Sequence, residues 1–173
     1  MSQSILALSY FFHLIATVVW VGGLVILALL VMPEARRILG DDPALESLLA
    51  RLRKRFLPLT HFSLVVLVVT GLTQMAGDEN YDGMLQFDSA WAQAILLKHV
   101  AVGGMFICGL AIQFGIMPAL ERAALIQSKG SQTAQALAGT EIARLHRREA
   151  WLTRVNLILA ALTLAFTAWA TAI

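Results

Sequence analysis

Charge is scarce in this chain. Only 14% of its 173 residues are Asp, Glu, Lys or Arg, where a soluble domain carries about 25%. That excludes a water-soluble enzyme of ordinary surface chemistry and a nucleic-acid-binding surface. Cysteine is nearly absent: Cys108 stands alone, so neither an internal disulfide nor a Cys-based zinc or iron–sulfur site can form. The sequence offers no nucleophile–base pair and no nucleotide loop. Disorder is excluded by a hydrophobic content of 58% and a mean hydropathy of +0.74, far too apolar for a chain that stays unfolded.

What is present is four apolar blocks, at residues 5–32, 56–76, 90–118 and 151–173. A helix needs about 20 apolar residues to cross a hydrocarbon core of about 30 Å. The reading is therefore an all-α membrane protein, with residues 1–173 forming one four-transmembrane-helix, up-down bundle. The first block has no basic leader and no small-residue cleavage site, so it is retained as a helix rather than read as a cleavable signal. Segment 33–55 carries Arg36, Arg37, Arg51, Arg53, Lys54 and Arg55, and segment 119–150 carries Arg122, Lys129, Arg144, Arg147 and Arg148. The third connection has no base but carries Asp78, Glu79, Asp82 and Asp88. The positive-inside rule puts both basic connections in the cytoplasm and both termini outside, in a bacterial inner membrane. Tyr10, Trp91, Trp151 and Trp169 fall near the block ends, as interfacial rings should. Asp42-Pro43 reads as an N-cap with a first-turn proline. Residues 44–56 and 133–148 read as helical lead-ins, and Lys129-Gly130-Ser131 as a break between helices.

The chain also resembles itself. A slide of 86 residues places His13 on His99 and Gly23-Leu24 on Gly109-Leu110, with Met32-Pro33 one residue from Met117-Pro118. A slide of 93 places Leu59-Thr60 on Leu152-Thr153 and Thr70 on Thr163. The expectation is a tandem repeat of two helical hairpins. The repeat pairs His13 with His99, 20 and 19 residues before Pro33 and Pro118, hence at similar depths on parallel spans. Two imidazoles at one level suit bis-histidine ligation of haem b, and neutral imidazole equally suits copper. A buried histidine in a span is a functional candidate because burial is costly.

The neighbours of these histidines have two readings each. Gly22-Gly23 and Gly103-Gly104 either leave room for a macrocycle or let helices approach closely. Trp20 lies seven residues after His13 and Phe106 seven after His99, facing a cofactor or forming core. Lys98 either neutralises a haem propionate or snorkels to the interface. His61 and Met75, with Met84, are weaker copper candidates. His146 reads as part of a basic face and Cys108 as a small core hydrophobe. The expected partners are the bilayer and a quinone or redox protein, with a homo-oligomer compatible and nucleic acid not.

These residues carry a family likeness. The run His13-Leu14-Ile15-Ala16-Thr17-Val18-Val19-Trp20-Val21-Gly22-Gly23-Leu24 resembles the first helix of copper-resistance protein D membrane domains. Arg55-Phe56, Thr70-Gly71-Leu72 and Leu96-Leu97-Lys98 resemble later parts of it. A more distant likeness is to HemJ-type protoporphyrinogen oxidases. The resemblance implies a four-helix membrane unit with His13 and Lys98 at motif positions. It implies either copper passage or haem-associated tetrapyrrole oxidation, and so a membrane oxidoreductase as one reading. His99 beside Lys98 and the lack of a methionine-rich track depart from both relatives and favour a haem held by His13 and His99.

Overall fold

The computed structural model describes residues 2–40, 42–78 and 89–173. Glu79, Asp82, Met84 and Asp88 lie outside the described residues. The described chain is all-α, with four helices long and apolar enough to cross a membrane: α1 (Gln3–Leu39), α2 (Pro43–Gly77), α3 (Ala90–Lys129) and α4 (Gln132–Ala172). They form two compact units, Met1–Gln86 and Phe87–Ile173, each a helical hairpin.

Local chemistry sets the helix ends. Asp42 caps α2, its Oδ1 accepting from Ala44 N–H at 2.7 Å, and so satisfies a first-turn donor that has no partner within the helix. Gly130 and Ser131 separate α3 from α4. At 1.5 Å per residue, the 41-residue α4 is about 60 Å long, about twice the hydrocarbon thickness. Its first half therefore runs beyond the bilayer, and carries Glu141, Arg144, Arg147 and Arg148.

Two prolines mark α1 and α3. Pro33 and Pro118 follow π-helical stretches at Leu27–Val31 and Ala111–Ile116. Proline has no N–H for the carbonyl four residues back and its ring crowds that carbonyl. The wider i→i+5 pattern upstream is the local accommodation. A further π-helical stretch at Val18–Gly22 has no proline after it.

Each hairpin is closed by a seam that repeats every seven residues. In the first, Ser9, Ala16 and Trp20 of α1 are buried, with Leu45, Ser63 and Thr70 of α2. In the second, Ala94, Ala101, Met105 and Cys108 of α3 are buried, as are Ala138, Leu145, Glu149, Asn156 and Ala160 of α4, with Leu145 packed against Ile116 and Leu120. A spacing of 7 and 4 is the signature of left-handed helix pairing. Small residues at the contact let backbones approach where no hydrophobic force acts between helices in lipid. The opposite faces stay apolar and open: Val18, Phe62 and Phe114 are about 70% exposed, a surface suited to lipid or to another helix. Tyr10, Trp151 and Trp169 are exposed, as interfacial rings require, whereas Trp91 is buried in its hairpin. Trp91 stands at the start of α3, one turn before Ala94 on the buried face.

Candidate functional site

The first hairpin holds a polar cluster in its apolar seam. Ser9 Oγ donates to the Thr70 carbonyl at 3.0 Å. His13 Nδ1 lies 2.8 Å from Thr70 Oγ1, and that hydroxyl lies 2.6 Å from the Val66 carbonyl. A carbonyl only accepts, so the hydroxyl proton is spent on Val66 and Oγ1 accepts from His13 Nδ1–H. This hydrogen-bond assignment places the neutral imidazole's donor lone pair on Nε2. The ring lies against α2 beside Gly71, where a Cβ would make an ordinary contact with His13 Cε1 at 3.5 Å. Ser9 and Thr70 were not singled out as neighbours of His13. The available signal was Ser9 four residues before His13, a polar pair on one face of an otherwise apolar helix.

His99 is held differently. Its Nδ1 lies 2.7 Å from the Ile95 carbonyl of its own helix, so Nδ1–H again donates and Nε2 again carries the lone pair. The side chain is exposed, on the face of α3 turned from α4. Gly103, one turn on, meets nothing within 4 Å where a Cβ would be, and Phe106 is exposed on the same face. Lys98 is half-buried.

The other predicted residues separate. Trp20 is buried in the first seam. The space beside Gly23 is filled by the Phe56 ring, so this glycine makes a helix–helix contact. His61 is exposed on α2, away from the His13 cluster, and Met75 is half-buried near its end, where its carbonyl accepts from Asp78 N–H at 3.3 Å. His146 approaches the buried Glu149 at 3.4 Å. Among the described residues no three of His, Cys, Asp and Glu converge as a metal-binding group.

The packing sets a register that the histidine match does not. A slide of 85, rather than 86, carries the buried Ser9, Ala16 and Trp20 onto the buried Ala94, Ala101 and Met105, and Met32-Pro33 onto Met117-Pro118. In this register His13 corresponds to Lys98, both half-buried, and the exposed Leu14 to His99.

No curated protein and no solved structure matches the chain. The family described as copper resistance protein D matches residues 50–170, well over half of the sequence, which includes Lys98 and His99 and leaves His13, Trp20 and Gly23 outside. With four apolar helices long enough to span a bilayer and this match across three of them, the chain belongs to the copper resistance protein D family.

Proposed function

We propose that this family member is a b-type haem protein of the bacterial inner membrane that transfers electrons near its outer face, with Nε2 of His13 and Nε2 of His99 as the axial ligands. The supporting observation is that both imidazoles are anchored through Nδ1, His13 at 2.8 Å from Thr70 Oγ1 and His99 at 2.7 Å from the Ile95 carbonyl; with Nδ1 so engaged, Nε2 would be the ligating nitrogen in each. A metal-binding histidine is usually oriented by such a bond from its other nitrogen. The donor set also fits. Haem iron asks the protein for no more than two further donors, a number that the two histidines would supply. Gly103 leaves open space beside His99, and Lys98 is a cation for a propionate. Bound haem would supply one-electron chemistry. The chain's own residues would hold it and set the basicity of each imidazole. A quinone or a redox protein is the proposed partner, and the 173 residues act as one unit.

In this reading the chain is a tandem repeat of hairpins, with both basic connections cytoplasmic and both termini outside. The seam register, the recurrence of a π-helical stretch before Met-Pro, and the match of Thr70 with Thr163 support the repeat.

The absorption spectrum of detergent-solubilised protein tests the function. The expected result is a reduced Soret and split α band with near-stoichiometric iron, lost in His13→Ala and in His99→Ala. An unchanged spectrum in either variant removes that residue as a ligand. The second reading is copper binding by the same nitrogens, favoured by the family description. Near-stoichiometric copper without porphyrin would establish it and overturn the first. Rescue of a strain lacking protoporphyrinogen oxidation would instead indicate the HemJ-like activity.

A further inference from the structure

The second hairpin carries a groove that the haem reading does not use. It is an open groove of about 570 Å³ between residues 111–119 of α3 and 141–152 of α4, within the usual range of small-molecule sites. Its floor is made of small residues one turn apart on α3: Ala111, Gly115 and Ala119. Gly115 meets nothing within 4 Å where a Cβ would be. Its rim on α4 holds Glu141, Arg144, Arg148 and Trp151.

The rim is electrically unbalanced. Arg144 is paired with Glu141 at 3.0 Å, while Arg148 has no acidic partner among the described residues. Trp151, one turn from Arg148, is 63% exposed, in the position of an interfacial ring. The polarity runs along the groove. Because α3 and α4 are antiparallel, Ala119 lies toward the arginines and Ala111 toward Leu152 and the apolar part of α4. One end is cationic and the other apolar, in the same order as headgroup and acyl chain in a leaflet.

We propose that this groove binds an anionic phospholipid of the adjoining leaflet. Arg148 and Arg144 engage the phosphate, Trp151 stands at the headgroup level, and an acyl chain lies over Ala111 and Gly115. Guanidinium suits a phosphate because its planar fork bonds two oxygens at once, and basic pockets between membrane helices at this level are selective for acidic headgroups. A zwitterionic lipid presents the same phosphate with a tethered cation that the arginines repel.

Native mass spectrometry of the full chain tests this, with dipalmitoylphosphatidylglycerol and dipalmitoylphosphatidylcholine added in equal amounts to delipidated protein. The expected result is a single phosphatidylglycerol adduct, with its preference over phosphatidylcholine reduced about fivefold in Arg148→Gln and partly kept in Arg148→Lys. Gly115→Leu fills the floor without touching the charges and should lower the adduct as well. Equal adducts of the two lipids, or an unaltered preference in Arg148→Gln, would overturn the proposal. So would an adduct of the mass of inorganic phosphate, added alone, that Arg148→Gln removes while the lipid adduct persists. None of these readouts depends on haem, so failure here leaves the proposed function standing, and the reverse.

Discussion

The two hairpins share a packing register and differ in what fills it. In the first, the seam position of His13 faces a hydroxyl already committed to Val66, with Gly71 beside the ring. In the second, the same position holds Lys98, and the residue corresponding to Thr70 is Thr163, whose hydroxyl donates to Leu159 O at 2.9 Å and approaches Met105 Sδ only at 3.8 Å. Similar seams thus carry a cross-helix imidazole network in one hairpin and a hydroxyl–sulfur contact in the other. In membranes the frame is set by small residues and shape. The polar groups can then change without loss of the seam, and they are where the two halves differ in chemistry.

The threonines give the largest expected contrast. Thr70→Val keeps the shape and removes the acceptor that orients His13. Loss of such a supporting bond lowers metal affinity about 10–100-fold, so the haem dissociation constant should rise by that factor, measured by titration of the apoprotein. Thr70→Ser should restore it. Thr163→Val, its counterpart, should leave haem affinity unchanged. Equal losses in the two variants would show that the hairpins are not specialised in this way.

The four spans, the Asp42 cap and the break at Gly130 are legible in the sequence because each rests on local information: the length of an apolar run, or a residue whose side chain or backbone suits an end. The seam is not legible in the same way. Leu14, at 64% exposure, and Ala16, at 4%, are both apolar, and in lipid hydropathy does not separate a face turned to a partner from one turned to acyl chains. The usable signal is residue size at a spacing of seven, as in Ala94 and Ala101. Aligning the halves on His13 and His99 misses that register by one residue, which on a helix is about 100° of rotation. The Met-Pro pairs carried the correct offset, since proline fixes backbone and not merely identity.

The glycines sharpen the comparison next. In Gly23→Ala the new methyl meets the Phe56 ring, and overpacking of this kind costs about 1–3 kcal/mol. Phe56→Leu in the same chain should recover part of it. Gly103→Ala meets no neighbour and should stabilise α3 by about 0.5–1 kcal/mol through the reduced backbone entropy. Unfolding in mixed dodecylsulfate–maltoside micelles measures both. If Gly103→Ala destabilises the protein as Gly23→Ala does, the open face of α3 is a packing surface, and its role as space beside His99 is lost.

The smallest contrast lies at the seam position shared by Ser63 and Asn156, both buried. Asn156 Oδ1 is a buried acceptor with no hydrogen-bond partner among the described residues, and an unsatisfied buried group costs about 1–3 kcal/mol. Asn156→Leu is close in volume and removes the carbonyl, so the second hairpin should gain about 1 kcal/mol in the same micelle assay. Ser63→Ala, at the corresponding place in the first hairpin, should change stability by less than about 0.5 kcal/mol, the range of a substitution that strands no partner. A loss rather than a gain on Asn156→Leu would mean that the amide bonds something in the bilayer-embedded protein. The second seam, which also buries Glu149, would then hold a bonded polar group two turns from the position of Thr163, and the contrast between the hairpins would reduce to which polar groups each seam pairs.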